Sequence, residues 1–166
     1  MNIAAAARRT TVLAVAAAAL AIGWQQPASA TTAGQTTQVK QEKRVVALVN
    51  AHRARVGCKP LRIDPRLVSA ARKHSVDMAH RHYFNHVTPT GTTPWQRIAR
   101  AGYPSSTVLG ENIAAGQATA DTVVKAWMAS PGHRANILNC AFRAIGVGLA
   151  SGGDYHTYWT QDFGGI

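Results

Sequence analysis

At Ala144 the hydrophobic period of the chain changes, and that change constrains the fold more than any other feature of its 166 residues. Upstream, apolar residues recur at helical spacing, and most runs open on a capping device. Asp64-Pro65 places Asp at an N-cap and Pro at the first helical position; Leu67, Ala70, Ala71, His74 and Met78 then share one stripe. That helix is expected to end near Arg81 or His82. Thr93-Pro94-Trp95-Gln96 is a capping box opening a short helix that Gly102 closes. Thr119 opens another, with Val123, Val124 and Trp127 on its apolar face, and Ser130-Pro131 caps a turn of helix through Leu138. An earlier helix is read from Lys40 on Val45, Val46, Leu48, Val49 and Val56, stopped by Gly57. Downstream of the change, Ile145, Val147 and Leu149 alternate, Ser151-Gly152-Gly153-Asp154 is a hairpin turn, and Tyr155 to Phe163 alternates aromatic with polar. Helical segments followed by a hairpin predict an α+β fold, helices packed on a sheet.

Arg8-Arg9, an apolar run from Thr11 to Gly23 and Ala28-Ser29-Ala30 read as an export signal over residues 1–30. The run is about half of the roughly 20 residues a membrane span requires. General secretion is the expected route, with Arg8-Arg9 keeping the twin-arginine route open. Residues 31–39 are polar enough to predict a disordered tail, and residues 40–166 are expected to be one domain of a secreted, extracellular monomer with no membrane span. The signal takes away two basic residues and no acidic one, so a formal charge of +11 becomes +9. Such a charge favours anionic surroundings such as cell-wall polymers, lipid headgroups or nucleic acid. The basic residues are scattered and lack interleaved stacking aromatics, so no specific nucleic acid is expected.

Cys58 and Cys140 are the only two cysteines. In an oxidising compartment a disulfide between them is expected, worth roughly 4.5 kcal/mol in the chain-entropy model. Free thiols or a metal pair are the alternatives, against which stands the lack of a C-x-x-C or a third Cys.

Two of the seven His sit where the backbone is constrained. His86 lies in a turn between Tyr83-Phe84-Asn85 and Thr88-Pro89-Thr90-Gly91, and His133 follows Ser130-Pro131-Gly132 at a helix start. Glu111, one of seven acidic residues, stands between Gly110 and Asn112 and is expected on a turn. His74, on an apolar stripe, is expected to be a core His bonded to backbone; His52, His80 and His82 are expected in solvent. No H-E-x-x-H and no Cys/His cluster at zinc spacing is present.

FNHVTPTG, GENIAAG, AWMASPGHRANIL, IGVGLA and YWTQDFG, in that order, resemble the bacterial secreted branch of the CAP superfamily: cysteine-rich secretory proteins, antigen 5 and pathogenesis-related proteins. The resemblance spans about Val45 to Gly164. It implies a three-layer α-β-α sandwich, a small antiparallel sheet flanked by helices. It also implies a cleft that, in plant and animal members, carries two His and two Glu able to hold a divalent metal. On that pattern His86 is similar to the first His and Glu111 to the first Glu. Ser130 stands in the place of the second Glu, and Tyr158 in the place of the second His, with His133 as a stand-in. The expected cleft therefore gathers His86, Glu111 and His133, with Ser130 and Tyr158 on its rim and Gln161 behind it. A divalent metal such as zinc on His86, His133 and Glu111 is the cofactor it could take.

Two functions compete. One is a non-catalytic binding module for a lipid, a peptide or an anionic cell-envelope polymer, and it is preferred because no activated nucleophile or cofactor loop is present. The other is a metal-assisted hydrolase with Glu111 as general base and His86 and His133 as ligands or proton shuttles. A Ser130–His133 pair is a weaker variant, since Ser130 is explained as a helix cap.

Overall fold

The computed structural model describes residues 28–104, 106 and 108–165. Most of the expected export signal, residues 1–27, lies outside them. Among the described residues the order is α1 (Ala28–Ala54), β1 (Arg62–Ile63), α2 (Pro65–His80), α3 (Pro94–Arg100), β2 (Leu109–Ala115), α4 (Ala120–Ala129), α5 (Pro131–Ile137), β3 (Ala144–Ser151) and β4 (Thr157–Gly164). The strands form one sheet in the order β1-β3-β4-β2, with β1 parallel to β3 and the other pairs antiparallel. The sheet is therefore mixed. The α2 and α3 helices cover one face, and α1, α4 and α5 cover the other.

The capping devices form as the residues dictate. Asp64 accepts from the Arg66 N–H, and reciprocal capping boxes close Thr93 with Gln96 and Thr119 with Thr122. Ser130 differs: it sits at the N-cap of α5 but makes no side-chain cap bond. The α1 helix runs back through residues 31–39, in place of the expected disordered tail. Four Thr, Val39 and Gly34 make residues 31–39 a weak helix former, but no Pro stands there, so nothing stops the packed helix from propagating backwards.

A second correction concerns Glu111, which lies inside β2 and on no turn. Its neighbours suit the strand for tertiary reasons that local propensity does not report. A Cβ at Gly110 would come within 2.7 Å of the Phe142 ring, and Asn112 is buried in a network of amides. The helix α2 lies directly on β3, because a Cβ at Gly146 or Gly148 would meet the α2 backbone at Leu67–Val68 or Ala71–Arg72 at 2.6 Å or less.

The far end is tied twice. Cys58 and Cys140 form the expected disulfide, with Cα atoms 5.0 Å apart. Beside it Arg53, one of the scattered basic residues, is fully buried. Its guanidinium donates to the carbonyls of Lys59, Ile137, Asn139 and Phe142 at 2.8–3.2 Å. No helix of the described residues is long and apolar enough to cross a membrane.

Candidate functional site

Alternation along β2 and β4 sends neighbouring residues to opposite faces of the sheet. Glu111 and Asp162 are directly paired and face α2 and α3; Asn112 and Gln161, one rung on, face α4 and α5. The Glu111 side chain is 1% exposed, and both its oxygens are engaged. His86 donates from Nδ1 to Oε1 at 2.7 Å, and Arg97 from Nη2 to Oε2 at 2.6 Å. The same guanidinium reaches back through Nη1 to the His86 carbonyl at 2.8 Å and the Thr92 carbonyl at 3.2 Å. Ring and backbone of His86 are thus both held. Its side chain stays 47% exposed, with Nε2 on the side turned away from Glu111.

Burial works against ionising Glu111, but the His86 hydrogen bond and the Arg97 charge outweigh it, so its pKa falls below the ordinary value. Asp162 goes the other way. It is fully buried beside an existing carboxylate, so burial and then the Glu111 charge push its pKa well up. Both of its oxygens are buried without a hydrogen-bond partner, which favours the neutral acid. Two adjacent carboxyl groups carry one proton, as like charges in a buried site require.

His74 supports the loop. As expected it is a core residue bonded to backbone, its Nε2 3.1 Å from the Asn85 carbonyl, next to His86. Burial pulls its pKa down to about 4, so the ring is neutral and its Nε2–H donates to that carbonyl. Placement of α2 on Gly146 and Gly148 therefore reaches the site through His74, Asn85 and His86.

The remaining expected residues divide. His133 lies in the first turn of α5, half-buried, and feels the His86 charge; burial and then that charge lower its pKa. Its bond to the sheet is through its carbonyl, which accepts from Asn112 Nδ2 at 3.1 Å. Gln161, expected behind the cleft, is buried on the opposite face of the sheet from Glu111, accepting from Asn112 at 3.0 Å. Tyr158, expected on the rim, is fully buried against Met78, Ala79, Ile113 and Ala150. The alternation of β4 turns that aromatic ring into the α2 layer, where apolar burial holds it. Ser130 is partly buried, with its hydroxyl free of capping.

Among the described residues, no three His, Cys, Asp or Glu side chains are grouped as a metal ion needs. The metal set of His86, Glu111 and His133 does not close, because the place beside Glu111 is taken by a guanidinium and both its oxygens are spent. The residues present do not fit the metal that the family pattern implies.

A cleft of about 410 Å³ opens along the free edge of β2, lined by His86, Val87, Trp95, Gly110, Glu111 and Asn136. The Trp95 side chain is an exposed aromatic at the start of α3. Asn136, on α5, closes the other bank by donating to the Glu111 carbonyl at 3.2 Å and to Asn112 Oδ1 at 2.8 Å. Sequence reasoning missed Arg97, Asp162, Trp95 and Asn136. Arg97 lies four residues after the Thr93 cap, so the capping box fixes its direction, but the sequence alone does not say what it faces. A larger hollow of about 550 Å³ lies between α1 and α2 over Val147, away from these groups.

The chain is similar to known proteins over this whole region. It is 47% identical to YkwD of Bacillus subtilis (strain 168) over 80% of its own length and 50% of that protein. A solved extracellular protein containing a SCP domain from Bacillus anthracis superposes with a TM-score of 0.72 at 31% identity, covering 80% of this chain and 42% of that one. An outer surface protein from Borrelia burgdorferi gives a TM-score of 0.68 at 26% identity, over 75% of this chain and 92% of that one. The chain spans about half the length of the YkwD protein it matches. The model of the cysteine-rich secretory protein family, CAP, matches residues 46–163, and the chain belongs to that family.

Proposed function

We propose that this chain is an exported binding module that takes its ligand in the cleft along the β2 edge. The observation that carries the reading is the 2.7 Å bond between His86 and a carboxylate that is itself 1% exposed. A buried acid with both oxygens engaged orients an imidazole and does not meet a ligand itself. His86 then presents Nε2, while Trp95 and Val87 offer exposed apolar surface beside it. The formal charge of +9 without residues 1–30 favours an anionic cell-envelope polymer as the ligand. The extracellular and outer-surface descriptions of the two similar structures support export.

The experiment is retention on insoluble peptidoglycan in 0.5 M salt, where nonspecific charge attraction is screened. His86→Ala and Trp95→Ala are expected to cut retention at least tenfold, Trp95→Ala with the melting temperature unchanged. Equal retention of wild type and both variants would place binding elsewhere.

One observation favours a second reading, a hydrolase. A fixed imidazole backed by a buried, ionised carboxylate is also a general-base pair, with His86 as the base and Glu111 as its orienter. Release of soluble fragments from the same polymer, abolished in His86→Ala, selects it.

A further inference from the structure

We infer that Arg97 is the resident cation of this site: its guanidinium stands beside Glu111 where a divalent ion would have to sit, and it positions His86 without a metal. Three contacts make a closed circuit. Arg97 holds Glu111 Oε2, Glu111 holds the His86 ring, and the His86 carbonyl returns to Arg97. No oxygen of Glu111 is left over for a metal. Charge gives the same answer. A divalent ion added there would face a buried guanidinium already seated 2.6 Å from Glu111 Oε2.

The placement is also built to be rigid. Arg97 is 9% exposed and leaves the helix in the turn that the Thr93–Gln96 capping box fixes, with Gln96 accepting from the Thr93 N–H at 3.0 Å. A planar fork can hold a carboxylate and a carbonyl together; an ammonium on a flexible stem does this poorly. Arg97 holds His86 in this way whichever ligand occupies the cleft.

Zinc chloride, added to chelator-treated full-length protein, is the probe. In wild type, the ring nitrogen signals of His86 in a 15N NMR spectrum are expected to stay in place at one equivalent. Arg97→Gln frees Oε2 of Glu111, so calorimetry should find zinc bound at least tenfold more tightly than in wild type. Adding Glu111→Gln to that variant should remove the gain. Two results overturn the inference: a zinc-induced His86 shift in wild type that Glu111→Gln abolishes, or a folded Arg97→Gln protein with no gain. If Arg97→Gln does not fold, the wild-type spectrum decides alone.

Discussion

Two neighbouring rungs of the same strand pair do different work. On the rung Glu111–Asp162 the groups are ionisable and buried, and they are balanced by Arg97 and His86. On the rung Asn112–Gln161, one residue along and on the other face, the groups are neutral amides, and Asn112 bonds Gln161 and the backbone and Asn136 side chain of α5. Both place polar groups inside a sandwich, but the cost of error differs. An amide that loses its partner leaves a dipole unpaired; a carboxylate that loses its partner leaves a charge. The amide rung fixes where α5 sits, and the charged rung fixes how His86 points. Function is expected from the costly one.

The largest effect should come from breaking the charged rung. Glu111→Gln leaves Arg97 buried without its anion and is expected to cost about 3–5 kcal/mol in denaturant unfolding. The Glu111→Gln/Arg97→Met double variant should cost clearly less than the sum of the two single changes, and simple additivity would show that the two groups do not act together.

Acid sharpens the comparison. The folded pKa of His74, about 4, lies below its ordinary 6.5, so the unfolded chain takes up the proton first. The stability tied to neutral His74 is complete above pH 6.5 and drains away as pH falls to 4, by about 3 kcal/mol. His74→Asn should flatten that part of a stability–pH curve. Asp162 has the opposite sign: its pKa is raised on folding, so its contribution falls as pH rises above the ordinary carboxylate range. Asp162→Asn should therefore gain more stability, relative to wild type, at pH 8 than at pH 4.

The smallest effect belongs to the neutral rung. Asn112→Ala should cost about 1–3 kcal/mol, with no pH dependence between 5 and 8. A marked pH dependence would mean that the two faces are electrically linked.

Much of the scaffold was legible because its signals are local. Asp64-Pro65, Thr93-Pro94 and Thr119 read as helix starts and are helix starts. The hairpin read from alternation at Ile145, Val147 and Leu149 is β3 and β4. The strand β2 was not legible, since Gly110 and Asn112 suit a strand only because Phe142 and an amide network wait for them. Of the site, His86 and Glu111 were visible through family motifs. Arg97 and Asp162 were not, because a guanidinium among many basic residues and an acid in an aromatic strand gain meaning only once the sheet places them beside Glu111. Tyr158 shows the reverse: its place in the motif pointed to a rim, but the alternation of β4 turns it into the core.

The measurement that tests the account most directly is a 15N NMR titration with soluble peptidoglycan fragments, following His86, Trp95 and the side-chain amides of Asn112 and Gln161 together. The ring nitrogens of His86 and the indole of Trp95 should shift in proportion to ligand, while the amides of Asn112 and Gln161, on the other face, hold still. Shifts at Asn112 and Gln161 with His86 unmoved would contradict it.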